Sequence, residues 1–176
     1  MKLITALSLF VALATMLPGC ESPPPSVPIS AAAIPAAGTA SEPMLRMQVD
    51  GKLWQANREI FGAVNPLGAK NSILISDSFG PNDASEQDLT MTLTGVSSPG
   101  SFSVKNAKPG GSVVQLMNLS AERTLIGGLM FDHDIQVEIS QLQADPVLIA
   151  GKFAGWMQAS DGSKIIISAG EFFYEE

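Results

Sequence analysis

The chain has 176 residues, with 17 acidic against 10 basic side chains and a formal net charge of −7. A surface of that sign is repelled by polyanions, which excludes nucleic acid as a natural partner. One cysteine, Cys20, leaves no intrachain disulfide to hold the fold. With hydrophobic residues at 45%, a single buried core has to do that work.

The amino terminus carries Lys2, then an apolar run over residues 3–15, then Leu17-Pro18-Gly19-Cys20. Crossing the hydrocarbon takes about 20 apolar residues, and this run is shorter and interrupted by Thr5, Ser8 and Thr15. A plain secretory signal accounts for the charged start and apolar middle, but not for a lone cysteine at the junction. The Leu-Pro-Gly-Cys run resembles the lipobox of bacterial lipoproteins. That resemblance implies a signal peptide over residues 1–19, cleavage between Gly19 and Cys20, and a diacylglyceryl thioether on Cys20. It also implies acylation, as by palmitate, of the new amino terminus. Two or more fatty chains hold a protein on a membrane stably, where one is marginal. Glu21-Ser22 follows the cysteine in place of the Asp that retains lipoproteins at the inner membrane. By the same resemblance this points to the outer membrane of a diderm envelope, facing the periplasm. In a monoderm host the anchor sits on the outer face of the one membrane.

Residues 20–43 form the expected tether. Pro23, Pro24, Pro25, Pro28, Pro35 and Pro43 alternate with Ala, Ser and Gly, and proline removes the donors that a sheet or helix needs. The composition reads as an extended spacer of about 3.1 Å per residue where polyproline-like.

Residues 44–176 read as strands almost throughout. Met47-Gln48-Val49 and Lys52-Leu53-Trp54 flank Asp50-Gly51, a pair that accepts the positive φ of a tight hairpin turn. Apolar alternation follows over residues 72–76, through Leu89, Met91 and Leu93 against Thr90, Thr92 and Thr94, then at Phe102 and Val104. Further strands are expected over 113–117 and 124–131, and through Ile135, Val137 and Ile139. Residues 120–123 have room for one helical turn. In 147–157 one face carries Ile149, Gly151, Phe153, Gly155 and Met157, and the other Ala150, Lys152, Ala154 and Trp156. The two glycines ask for a bulky cover from Phe153, Trp54 or Trp156, or for a ligand against bare backbone. Ser160-Asp161-Gly162-Ser163 turns the chain into 164–168, and 169–174 ends the series. Short strands between Gly, Pro, Asn and Asp signals predict an all-β antiparallel sandwich or barrel-like domain.

Three segments resemble a loosely defined group of small bacterial lipoproteins of uncharacterised function. They are Val49-Asp50-Gly51-Lys52-Leu53-Trp54-Gln55-Ala56, Gly151-Lys152-Phe153-Ala154-Gly155-Trp156-Met157 and Ile165-Ile166-Ile167-Ser168-Ala169-Gly170-Glu171-Phe172. The resemblance covers both ends of the domain and implies a β-rich fold. It assigns no catalytic residue.

Candidate chemistry is sparse. Asp132-His133-Asp134 places an imidazole between carboxylates, yet neighbours on a strand face opposite ways, so a metal there needs ligands from elsewhere. A polar turn between the Phe131 and Ile135 strands is the expected use of these residues. The oxygen-rich run of residues 77–88 lacks the spacing of a calcium loop and is expected as a solvated loop. There is no Gly-x-Ser-x-Gly elbow, and Gly127-Gly128 is too short to cradle phosphate. The residues therefore point to a non-enzyme with no cofactor and no metal: an envelope module that binds a protein partner or has a structural role. The alternatives are a carrier of an apolar small ligand and a metal-dependent enzyme centred on Asp132-His133-Asp134.

Overall fold

The computed structural model describes residues 42–106 and 108–176. Gly19, Cys20 and the Pro-rich stretch through Ser41 lie outside the described residues.

Asp50 and Gly51 take positive φ, 48° and 78°, and fold β1 (Met44–Val49) onto β2 (Lys52–Gln55) as the Asp-Gly pair predicts. Alternation then builds β3 (Phe61–Val64), β4 (Ser72–Phe79), β5 (Gln87–Thr94), β6 (Gly100–Lys105), β7 (Val113–Met117) and β8 (Leu125–Gly127). Three twelve-residue strands complete the chain: β9 (His133–Ala144), β10 (Val147–Gln158) and β11 (Lys164–Glu175). A six-stranded sheet runs β2-β1-β11-β10-β9-β6, and a five-stranded sheet runs β3-β4-β5-β7-β8. The strand pairs of both sheets are antiparallel. The sheets face each other and do not close into a barrel. One bridge, Ile126 to Ala159, stitches β8 to the segment just past β10.

Inward residues of both sheets fill the space between them. Leu45, Met47, Ile135, Val137, Ile149, Phe153, Ile165 and Ile167 from one sheet meet Ile73, Ile75, Leu89, Met91, Leu93, Val114 and Leu116 from the other. Burial of this kind contributes about 25 cal/mol per Å² of apolar surface removed from water, the main favourable term in a chain without disulfides.

The glycines of β10 are covered by a different residue from any the sequence suggested. Phe172 lies opposite Gly151, and Phe153 lies opposite Gly170, so each strand lays one ring over the other's bare backbone. A Cβ at Gly151 would stand 2.6 Å from the Phe172 ring, and one at Gly170 would stand 2.7 Å from the Phe153 ring. The two rings sit 6.2 Å apart. Gly155 faces the Asp134 and Ile135 backbone instead. Neither Trp54 nor Trp156 is the cover, and the space offered to a ligand at Gly151 belongs to phenylalanine. Both faces of central β10 are closed, since outward Ala150, Lys152 and Ala154 are buried as well. Lys152 lies level with Glu171 and Glu138 on the flanking strands, and Arg46 lies level with Glu171. Arg46 pairs with Glu171, giving a row of alternating charge across four strands, the arrangement that favours cross-strand pairing.

Other departures from the sequence reading have local causes. The expected strand over 124–131 stops at Gly127, because Gly127 and Gly128 both take positive φ and swing the chain away. The Phe61–Val64 strand went unforeseen, being four residues long and broken by Gly62. Residues 120–123 form a bend closed by reciprocal Ser120–Arg123 backbone bonds, and the short helical turn lies at Pro66–Gly68. Residues 164–168 and 169–174 are one strand, bulged at Ala169 with φ 48°. In the 77–88 run only residues 80–86 lie outside strands.

Reciprocal ring-over-glycine packing makes Gly170→Ala costly. Forcing a methyl under the Phe153 ring should destabilise the fold by about 1–3 kcal/mol, read as a lower urea midpoint with unchanged m-value. Gly51→Ala, with open space around its Cβ, should cost less than Gly170→Ala despite its φ.

Candidate functional site

The structure takes the Asp132-His133-Asp134 constellation apart. His133 is inside β9, not in a turn, because the turn is made earlier by Gly127 and Gly128. Its ring is fully buried, with Nδ1 3.1 Å from the Phe131 carbonyl and, among the described residues, no hydrogen-bond partner for Nε2. Asp134 points to the other face, where it accepts from Gln136 at 2.9 Å and pairs with Lys105 at 2.9 Å. Asp132 is exposed. The acids of the 77–88 run diverge too. Asp77 turns into the interior, Asp83 bonds Ser85, Glu86 pairs with Arg58, and Asp88 accepts from Ser78. Among the described residues no three His, Cys, Asp or Glu side chains stand where they would share a metal ion.

A surface groove offers more. It lies where β2, the outermost strand of the six-stranded sheet, passes over the β4–β5 connection and the loop after β7. Two adjoining depressions of about 340 and 570 Å³ share Phe79, Gln87, Leu119 and Ser120. Trp54 forms the floor, buried to 2% exposure, with its ring 6.0 Å from that of Phe79. Its Nε1–H donates to Gln87 Oε1 at 3.0 Å, which satisfies the indole and fixes the amide. Leu53, 67% exposed, stands at the lip because alternation along β2 turns it away from the core that holds Trp54. The far wall is set by Asn118, whose positive φ bends the chain after β7 and whose Nδ2 donates to the Glu86 carbonyl at 2.9 Å.

No protein-family model, curated protein or solved structure matches the chain. Its chemistry therefore has to be read from the residues themselves.

Charge closes one end of the groove. Arg123 stands 3.6 Å from Asp50 and 3.3 Å from Asp161, joining the β1–β2 and β10–β11 turns to the loop after β7. Asp50 also caps the Ile166 amide at 2.9 Å. Asp83 and Asp161 head identical Asp-x-Ser turns, each accepting from the amide and hydroxyl of the serine two residues on. Those serine hydrogen bonds hold both carboxyls below the ordinary carboxylate range. Asp77 behaves oppositely. It lies one step behind Phe79 and Gln87 on the same inward face, with Oδ2 buried and without a partner among the described residues. Burial raises its carboxyl, opposed by the Ser78 amide and by Arg58.

The sequence singled out Trp54 and the Asp-Gly turn, but it read Phe79 and Gln87 only as part of a solvated loop and Arg123 only as part of a helical turn, and it did not mark Leu119. Those come from three separate segments, and no local pattern marks them as close.

Two outcomes follow from these electrostatics. A raised folded-state pKa means that Asp77 favours the fold most when protonated, so its contribution is lost as pH rises through the raised value. Asp77→Asn keeps an acceptor for the Ser78 amide and should raise the melting temperature at pH 7, with the gap to the parent closing below about pH 4. Arg123→Ala removes two partly exposed ion pairs and should cost about 0.5–2 kcal/mol, with a smaller loss in high salt when measured by urea unfolding.

Proposed function

We propose that this chain is a lipid-anchored, non-catalytic interaction module of the bacterial cell envelope. Its anchor is an acylated Cys20, and its groove along β2 receives an extended segment of an envelope protein. The groove is the observation that carries this reading. Its floor is aromatic and aliphatic, its rim is amide and hydroxyl, and it runs beside β2, which among the described residues has no further strand on its outer edge. Unpaired strand edges and aromatic grooves are the two features that capture extended peptides through backbone and side chains together.

Other features agree. The interior is occupied by protein side chains, which disfavours a carrier of an apolar ligand. Among the described residues the buried His133 ring meets a backbone carbonyl and no carboxylate hydrogen-bonds its Nε2, which disfavours hydrolytic or metal chemistry. A net charge of −7 favours a neutral or basic partner and speeds its encounter. No helix of the described residues is long and apolar enough to cross a membrane. Glu21 after Cys20 supports sorting to the outer membrane, with the domain in the periplasm.

Two arms test the reading. Labelled palmitate should enter the parent chain and not Cys20→Ala, which should also leave the membrane fraction; an unlabelled parent removes the anchor. A photo-crosslinker at Leu53 in intact cells should yield a discrete protein adduct, and one at Ser101, on β6 at the opposite edge of the same sheet, should not. Equal adducts from both positions, or none from Leu53, would reject the groove as the docking face.

A further inference from the structure

The groove and the described start of the chain meet through one side chain. Arg58 lines a shallow pocket with Glu42, Pro43 and Tyr174. Its Nη2 donates to the Gly80 carbonyl at 3.1 Å, on the groove's rim. The chain thus arrives about one arginine's length from the groove.

Upstream, Ser26-Val27-Pro28-Ile29-Ser30 breaks the pattern of the Pro- and Ala-rich stretch. Val27 and Ile29 are branched apolar side chains on either side of a proline, and a solvated spacer has no use for either. Proline keeps the residue before it extended, so little order remains to be imposed when such a segment lies in a groove. Glu42 lies thirteen positions after Ile29, a reach of at most about 45 Å, ample for the short gap that Arg58 bridges.

We propose that residues 26–30 of this chain occupy the groove in cis, with Val27 and Ile29 against Phe79 and Leu119. The Gln87 oxygen is held by Trp54, which leaves its amide nitrogen to meet a backbone carbonyl of the incoming segment. Tethering holds the segment at millimolar effective concentration, so weak contacts suffice to fill the site. This rests on the groove being the docking face: an envelope partner must displace the chain's own segment, and docking shortens the tether until it does.

The test uses the full chain in cells, with cysteine pairs trapped by mild oxidation and assigned by peptide mass. Ser120 is exposed and lines the groove; Ser101 is exposed on β6. The pair Ser30→Cys with Ser120→Cys should form an intramolecular disulfide about tenfold faster than Ser30→Cys with Ser101→Cys. Adding Val27→Ser and Ile29→Ser should erase that preference and increase the partner adduct at Leu53 several-fold. Equal rates for the two pairs, or a preference that survives the serine substitutions, would overturn the proposal. A disulfide that joins two chains would overturn it in favour of a second copy. If the cis disulfide forms but Leu53 yields no partner adduct, the segment docks and the partner reading alone falls.

Discussion

Two rings lying over two bare backbones set the register between β10 and β11. Phe153 covers Gly170 and Phe172 covers Gly151, and a shift of one residue would set Phe172 level with Ala150 or Lys152, uncover both glycines and send the inward isoleucines to the solvent face. That register sets the position of β1, paired to β11 from Met44 to Val49, and through β1 the position of β2. Trp54 then stands over Phe79 and Gln87 because the strand pairings before it are fixed. The groove is the end point of a chain of pairings that begins at two glycines.

The fold was largely legible because its signals are local. Asp50-Gly51 marks its own hairpin, the Thr90-Met91-Thr92-Leu93-Thr94 alternation marks its own strand, and Pro99-Gly100 and Pro109-Gly110 mark breaks between strands. Where the reading failed, a backbone conformation overrode composition. The Gly127-Gly128 turn ended an apolar run that looked like strand, and the same turn moved His133 from an expected loop into a buried strand position. Alternation showed which residues share a face. It did not show that a ring from the neighbouring strand, and neither tryptophan, would fill the space above each glycine.

The groove was far less legible. Its walls come from β2, from the two ends of the β4–β5 connection and from the loop after β7. Leu119 and Arg123 in particular sit in a segment with no periodicity, positioned by the Asn118 bend and by acids from two distant turns. Such convergence is a property of sheet packing, which single-sequence patterns do not encode. Asp77, placed inward by ordinary alternation, keeps an acid behind the aromatic floor, where its own burial works against its charge.

The location of the one histidine has a further effect on how the molecule behaves among its neighbours. With that ring enclosed between the sheets, the described surface shows water only carboxylates, ammonium groups, guanidinium groups and neutral side chains. Imidazole is the side chain whose ordinary titration falls between about pH 5 and 8, and no described surface position has one. The described surface around the groove therefore carries no imidazole whose charge would change over that range.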